Sequence, residues 1–106
     1  MRNKKELEKL YKDCLEFWGF EEQSRKAQEE CGELIVAISH YLRGRENAPA
    51  KLVEEIADVY LMLNQLISYF GEDWIMEMVD WKSDRVRKKL EKYKLEAQNE
   101  HKRSKS

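Results

Sequence analysis

Two stretches of this chain carry acids in the same order: EECGELIVAI at residues 29–38 and EEIADVYLML at residues 54–63. Glu29 superposes on Glu54, Glu30 on Glu55 and Glu33 on Asp58, with an offset of twenty-five residues throughout. Carboxylates are hard oxygen donors that suit Mg²⁺ or Mn²⁺. Gathered in a partly dry site, four of them would repel one another unless protons or a divalent cation neutralised the charge. At neutral pH the cation does this better. Mg²⁺ keeps several waters and commonly completes its shell with substrate phosphates, which points to a phosphorylated substrate. Neither His40 nor His101 falls in the acid words, and Cys31 has no partner cysteine nearby in sequence, so the pattern does not suit zinc.

At about 100° per residue, each acid can be placed on its helix. With Leu34 as zero, Ala27, Cys31, Ile38 and Tyr41 define an apolar stripe. Glu30 lies at about -40°, inside the stripe, and Glu33 at about -100°, on its edge. With Val59 as zero, Leu52, Ile56, Leu63, Leu66 and Phe70 define the matching stripe. Glu55 again lies at about -40° and Asp58 at about -100°. Glu29 and Glu54 face outward. Each helix thus aims one acid into its apolar face and places a second three residues on, with Cβ atoms roughly 5–6 Å apart. A single such pattern is more often a solvated helix surface; two in register carry the metal-site reading.

The elements that must position these residues are helical. Glycine and proline are scarce, and Leu, Glu and Lys abound. Asn3 followed by Glu6 predicts an N-cap, and Gly19 predicts the end of a first helix whose stripe is Leu7, Leu10, Tyr11, Cys14 and Phe17 or Trp18. A second helix is expected over 21–42, a loop at RGRENAPA, a third helix from Pro49 or Ala50 to Phe70, and a fourth from about 72–74 to Ala97. The short loops make helices two and three an antiparallel hairpin with one acid word on each arm. The expectation is an all-α bundle of about four helices: one domain over 1–97, then a polar, disordered tail over 98–106.

The 106 residues hold 20 Lys and Arg against 21 Asp and Glu, a net charge of -1 that gives no overall pull towards nucleic acid. No apolar run approaches the roughly 20 residues a membrane span needs. The charged N-terminus does not read as a signal peptide, and Cys14 and Cys31 read as reduced thiols of a cytoplasmic protein. On the fourth helix, Lys82, Lys89 and Arg85 line one edge of the stripe formed by Ile75, Met76, Val79, Val86, Leu90 and Tyr93. That edge could bind a polyphosphate or simply be solvated.

The words Glu30-Cys-Gly-Glu33 and Glu55-Ile-Ala-Asp58, within QEECGELIVAI and VEEIADVYLML, resemble the double acid motif of the MazG-like all-α nucleoside triphosphate pyrophosphohydrolases. WGFEEQ upstream and KSDRVRKKL downstream fit the same family, so the resemblance spans about residues 15–92. It implies cleavage of a nucleoside triphosphate between the α- and β-phosphates, with Mg²⁺ (or Mn²⁺) held by Glu30, Glu33, Glu55 and Asp58. Glu30 or Glu33 is the first candidate for the base. Lys82 and Arg85 match a phosphate-contacting segment, Lys89 extends it, and Gln23 is a candidate nucleotide contact. Trp18 could stack on a base or plug the core. Asn64 could face a site or water. The family also implies a homodimer or homotetramer, whose interface would take up the wide apolar arc of helix three, including Tyr60, Leu61, Met62, Ile67 and Tyr69. Two other readings stand beside this one. Phosphoribosyl-ATP pyrophosphohydrolase carries similar acid words. A non-catalytic helical interaction module would leave the acids solvated or paired with Lys and Arg.

Overall fold

The computed structural model describes residues 1–105. It contains four helices: α1 (Lys4–Trp18), α2 (Phe20–Leu42), α3 (Ala48–Phe70) and α4 (Glu72–Lys105). No strand occurs among the described residues. Among the described residues, no helix is long and apolar enough to cross a membrane.

Each boundary has a local cause. Asn3 Oδ1 accepts the Glu6 backbone N–H at 2.8 Å and opens α1. Gly19 closes α1 by donating its N–H to the Leu15 carbonyl, and its own carbonyl accepts from Gln23 N–H as α2 begins. Its backbone, at φ 89° and ψ 160°, occupies a region essentially restricted to glycine. Asn47 turns left-handed at φ 62° just before α3, a conformation Asn tolerates better than most residues, and Pro49 sits in the first turn.

Two compact units follow from the contacts. The first, Met1–Gly71, contains α1, α2 and α3; the second begins at Glu72 and is α4. Within the first, α2 and α3 pack as the main pair, and α1 lies against both, more on α3 than on α2. Phe20, at the start of α2, stacks on Tyr69, at the end of α3, with centroids 3.9 Å apart. Gln23 likewise bonds Gln65. Early residues of one arm meet late residues of the other, so the hairpin is antiparallel.

The buried faces differ from the expected stripes. On α2 the buried residues are Gln23, Ala27, Glu30 and Ala37; on α3 they are Ala48, Glu55, Met62 and Gln65. Cys31, Ile38, Tyr41, Ile56, Leu63 and Phe70, all expected inside, are exposed. Both faces are turned towards the acids. Ala27, Ala37 and Ala48 are small enough for the two backbones to approach on that side, and the bulkier residues are left on the flank. The sense of rotation is the same on both arms. In an antiparallel pair this collects Ile35, Ile38, Ile56 and Leu63 on the side of the hairpin away from the acids. Met62, expected at an interface, is core, and on α1 only Tyr11 is fully inside.

α4 carries Glu72 and Asp73 in its first turn and Lys102, Arg103 and Lys105 in its last, the arrangement that suits the helix dipole. It continues past the expected end at Ala97. Residues 98–105 contain no Gly or Pro and include several good helix formers, so nothing in the sequence stops the helix there. The expected disordered tail is therefore helical through Lys105, and Ser106 lies outside the described residues. No residue of α4 is buried; of its expected stripe only Ile75 is half-buried.

Candidate metal centre

Glu30 comes from the middle of α2, and Glu55 and Asp58 from one face of α3. One carboxylate oxygen from each lies within 4.8 Å of the others. The hairpin achieves this because the two acid words run in opposite directions on neighbouring arms. Glu55 is 2% exposed and Glu30 8%; Asp58 is half-buried. In a hexacoordinate shell with bonds of about 2.1 Å, neighbouring oxygens stand about 3.0 Å apart and opposite ones about 4.2 Å, so the three side chains would draw inward to close on one ion.

The two buried glutamates are partly neutralised by their own helices. Lys26 Nζ lies 3.3 Å from Glu30 Oε1, and Lys51 Nζ lies 3.0 Å from Glu55 Oε1. The second oxygen of each, Oε2, is buried with no hydrogen-bond partner. Leaving such an oxygen unsatisfied costs about 1–3 kcal/mol, more when it is charged. Two orphaned carboxylate oxygens at one cluster fit a hard cation better than they fit a purely structural ion pair. Glu29 and Glu54, the outward acids, are exposed as expected.

Glu33 is not among the three. It is exposed on α2, one turn from Glu30. Its carboxyl is raised above the ordinary value of 4.5, first by the negative charge of Glu30, then by desolvation and by Glu55. A raised folded pKa means that folding disfavours the ionised form. This group therefore withdraws stability as pH rises from its unfolded value through its raised folded value. Metal-free Glu33→Gln should melt above the wild type at neutral pH and should lose that part of the slope. Thermal melts across pH 4–8 at low and high salt check this, and the difference should shrink with salt because the group is exposed.

Beside the acids lies a pocket of about 510 Å³, lined by residues that include Tyr11, Trp18, Gln23, Glu30, Asp58 and Gln65. Trp18 is 55% exposed and borders this pocket, so it is not a core plug. Gln23 is buried and donates Nε2–H to Gln65 Oε1 at 2.7 Å. Gln65 carries no signal in the acid words, because it stands outside both of them and off the apolar stripe. A polar residue two turns beyond Asp58 was the available signal. Asn64 turns back on its own helix and donates to the Tyr60 carbonyl at 2.8 Å.

No family model, curated protein or solved structure matches this chain.

The remaining sequence candidates lie on α4. Lys82, Arg85 and Lys89 are exposed there, and the Arg85 guanidinium sits 5.0 Å from the centre of the Trp81 ring. His40 packs its Nε2 3.3 Å from an Arg45 nitrogen at the hairpin loop, and Cys14 and Cys31 are free thiols.

Proposed function

We propose that this protein is a divalent-cation-dependent nucleoside triphosphate pyrophosphohydrolase that converts an NTP or dNTP to the monophosphate and pyrophosphate, as in nucleotide-pool cleansing. The observation that carries the proposal is the buried cluster of Glu30, Glu55 and Asp58 with two unpartnered glutamate oxygens. The resemblance of the two acid words to MazG-like enzymes supplies the reaction.

In this reading Glu30, Glu55 and Asp58 hold Mg²⁺ or Mn²⁺. When bound, the cation supplies charge neutralisation at phosphate oxygens and acidifies water. Glu33, outside the triad but next to it, takes the proton from the attacking water. Water oxygen bonds to the α-phosphorus, the bond to the α–β bridging oxygen breaks, and the electron pair leaves with pyrophosphate. The pocket takes the nucleoside, with Trp18 and Tyr11 as apolar walls and the Gln23–Gln65 amide pair as its polar floor. Lys82, Arg85 and Lys89 are assigned to the phosphates by the resemblance alone. The exposed apolar flank of the hairpin supports a homo-oligomer, dimer or tetramer.

Pyrophosphate release from a panel of NTPs and dNTPs, with and without Mg²⁺, tests this. Metal-dependent release from at least one of them is expected. If all stay intact, the reading fails; phosphoribosyl-ATP is then the next substrate to assay.

A further inference from the structure

The repeated phrase is longer than its acids. Lys26 stands to Glu30 as Lys51 stands to Glu55, so the repeat begins with a lysine, KAQEECGEL against KLVEEIADV. The structure gives the two lysines the same task. Each sits one turn before a buried glutamate and bonds its Oε1, and each approaches the neighbouring outward acid, Glu29 at 3.7 Å or Glu54 at 3.8 Å. Their side chains are about half exposed, 51% and 56%, so both ammonium groups are free to swing. Lys26 also lines the pocket beside Glu30.

Charge decides what these lysines can do. Ionised Glu30, Glu55 and Asp58 carry three negative charges, and the lysines return two. The five groups together are at -1. A divalent cation on the acids would bring the set to +1 with the lysines, but leave it at -1 without them. Glu29, Glu33 and Glu54 stand nearby and add negative charge in both cases, so what the lysines contribute is the difference of two charges in favour of a polyanion. A cation on Glu30 and Glu55 also competes for the oxygens of each lysine's shorter ion pair, leaving only the longer approaches to exposed Glu29 and Glu54 at 3.7 and 3.8 Å. An ammonium released at that point has a compact charge suited to phosphate.

We infer that Lys26 and Lys51 are exchange ligands of this site: each pairs with a buried glutamate until a divalent cation takes that glutamate, and then binds a phosphate oxygen of the polyanion held by the cation. The inference rests on the metal reading above and adds two phosphate-binding residues to it. It makes the two affinities move in opposite directions when a lysine is lost. The cation gains because a competing charge is gone; the polyanion loses because a ligand is gone.

The test uses the full chain, Mn²⁺ and inorganic tripolyphosphate. Free Mn²⁺ is followed by electron paramagnetic resonance, and tripolyphosphate binding to the Mn²⁺-loaded protein by calorimetry. Lys26→Gln and Lys51→Gln should each tighten Mn²⁺ about threefold and weaken tripolyphosphate about tenfold. Lys51→Arg, which keeps the charge, should hold tripolyphosphate near the wild-type affinity. Lys9→Gln, which breaks an exposed pair with Asp13, is the control. In the wild type, the Lys26 and Lys51 side-chain amine resonances should move on adding Mg²⁺ and again on adding tripolyphosphate, a readout that needs no variant. Affinities that move together, or that match the Lys9→Gln control, overturn the inference. So does a loss confined to nucleotides with tripolyphosphate unaffected. If the wild type binds Mn²⁺ and releases pyrophosphate while the lysine variants behave normally, only this inference falls. If the wild type binds no Mn²⁺, the metal reading falls with it.

Discussion

Glu55→Gln should abolish Mg²⁺-dependent pyrophosphate release while leaving the helices intact. Glu55 is the most buried acid of the chain, and one of its oxygens has no partner in the protein. Loss of a group that only hydrogen-bonds to a metal ligand typically costs 10–100-fold, so loss of a direct ligand should cost at least about a hundredfold in kcat/KM. The metal-free protein should keep its fold, because Lys51, which loses its partner, is about half exposed and can turn to water. Mg²⁺ at about a hundred times its Kd raises the stability of a protein that binds it by about 2.7 kcal/mol. In Glu55→Gln that gain should disappear. Asp58→Asn should behave alike. The informative contrast is Glu54→Gln, one residue away in the same acid word. Glu54 is exposed, and its substitution should leave turnover within about twofold of the wild type, as surface changes usually do. Equal silence of Glu54→Gln and Glu55→Gln in both assays would return the acid words to ordinary helix surface and favour the interaction-module reading.

If the proposed oligomer forms, Leu63→Asp or Ile56→Asp should reduce it to single chains of 12.8 kDa in light scattering. Leu63 and Ile56 are about half exposed, as is Ile38 on the other arm, and Ile35 more so. A standard interface removes about 800 Å² from each partner, under a tenth of the 9233 Å² this chain exposes. The flank of the hairpin is a natural place for it, since a contiguous exposed apolar face usually marks an interaction surface. In a twofold dimer the same Asp enters twice. Burying two unpaired carboxylates should weaken association by several kcal/mol, at least a hundredfold in Kd. A wild type already at 12.8 kDa would remove the oligomer from the proposal. The metal cluster, built within one chain, would stand without it.

Much of the first unit was legible in the sequence because its signals are local. Asn3, Gly19, Pro49 and Gly71 fix helix ends through the backbone of their nearest neighbours. The acid words gave the antiparallel arms their matching register, and Glu30, Glu55 and Asp58 meet as that register requires. The rotation of the packed faces was not legible. Hydrophobicity favoured Cys31, Ile38, Ile56 and Leu63 as core, but helix packing also depends on how closely backbones can approach, and Ala27, Ala37 and Ala48 settle that. Glu33 and Asp58 hold equivalent positions on their helices, so the turn of the two arms does not separate them; α1 lies more on α3 than on α2, and Asp58 is half-buried while Glu33 is exposed.

The sequence by itself determined the four helices, their ends as far as the start of α4, and the identity of the acids, since propensity, capping and periodicity act over a few residues; the end of α4 carries no such stop signal. Only the tertiary structure decided which acid oxygens lie within reach of one another, that Lys26 and Lys51 are their partners, and that Gln23 finds Gln65. Those pairings join residues far apart in the chain or depend on which face becomes dry, and both are set when α1, α2 and α3 pack.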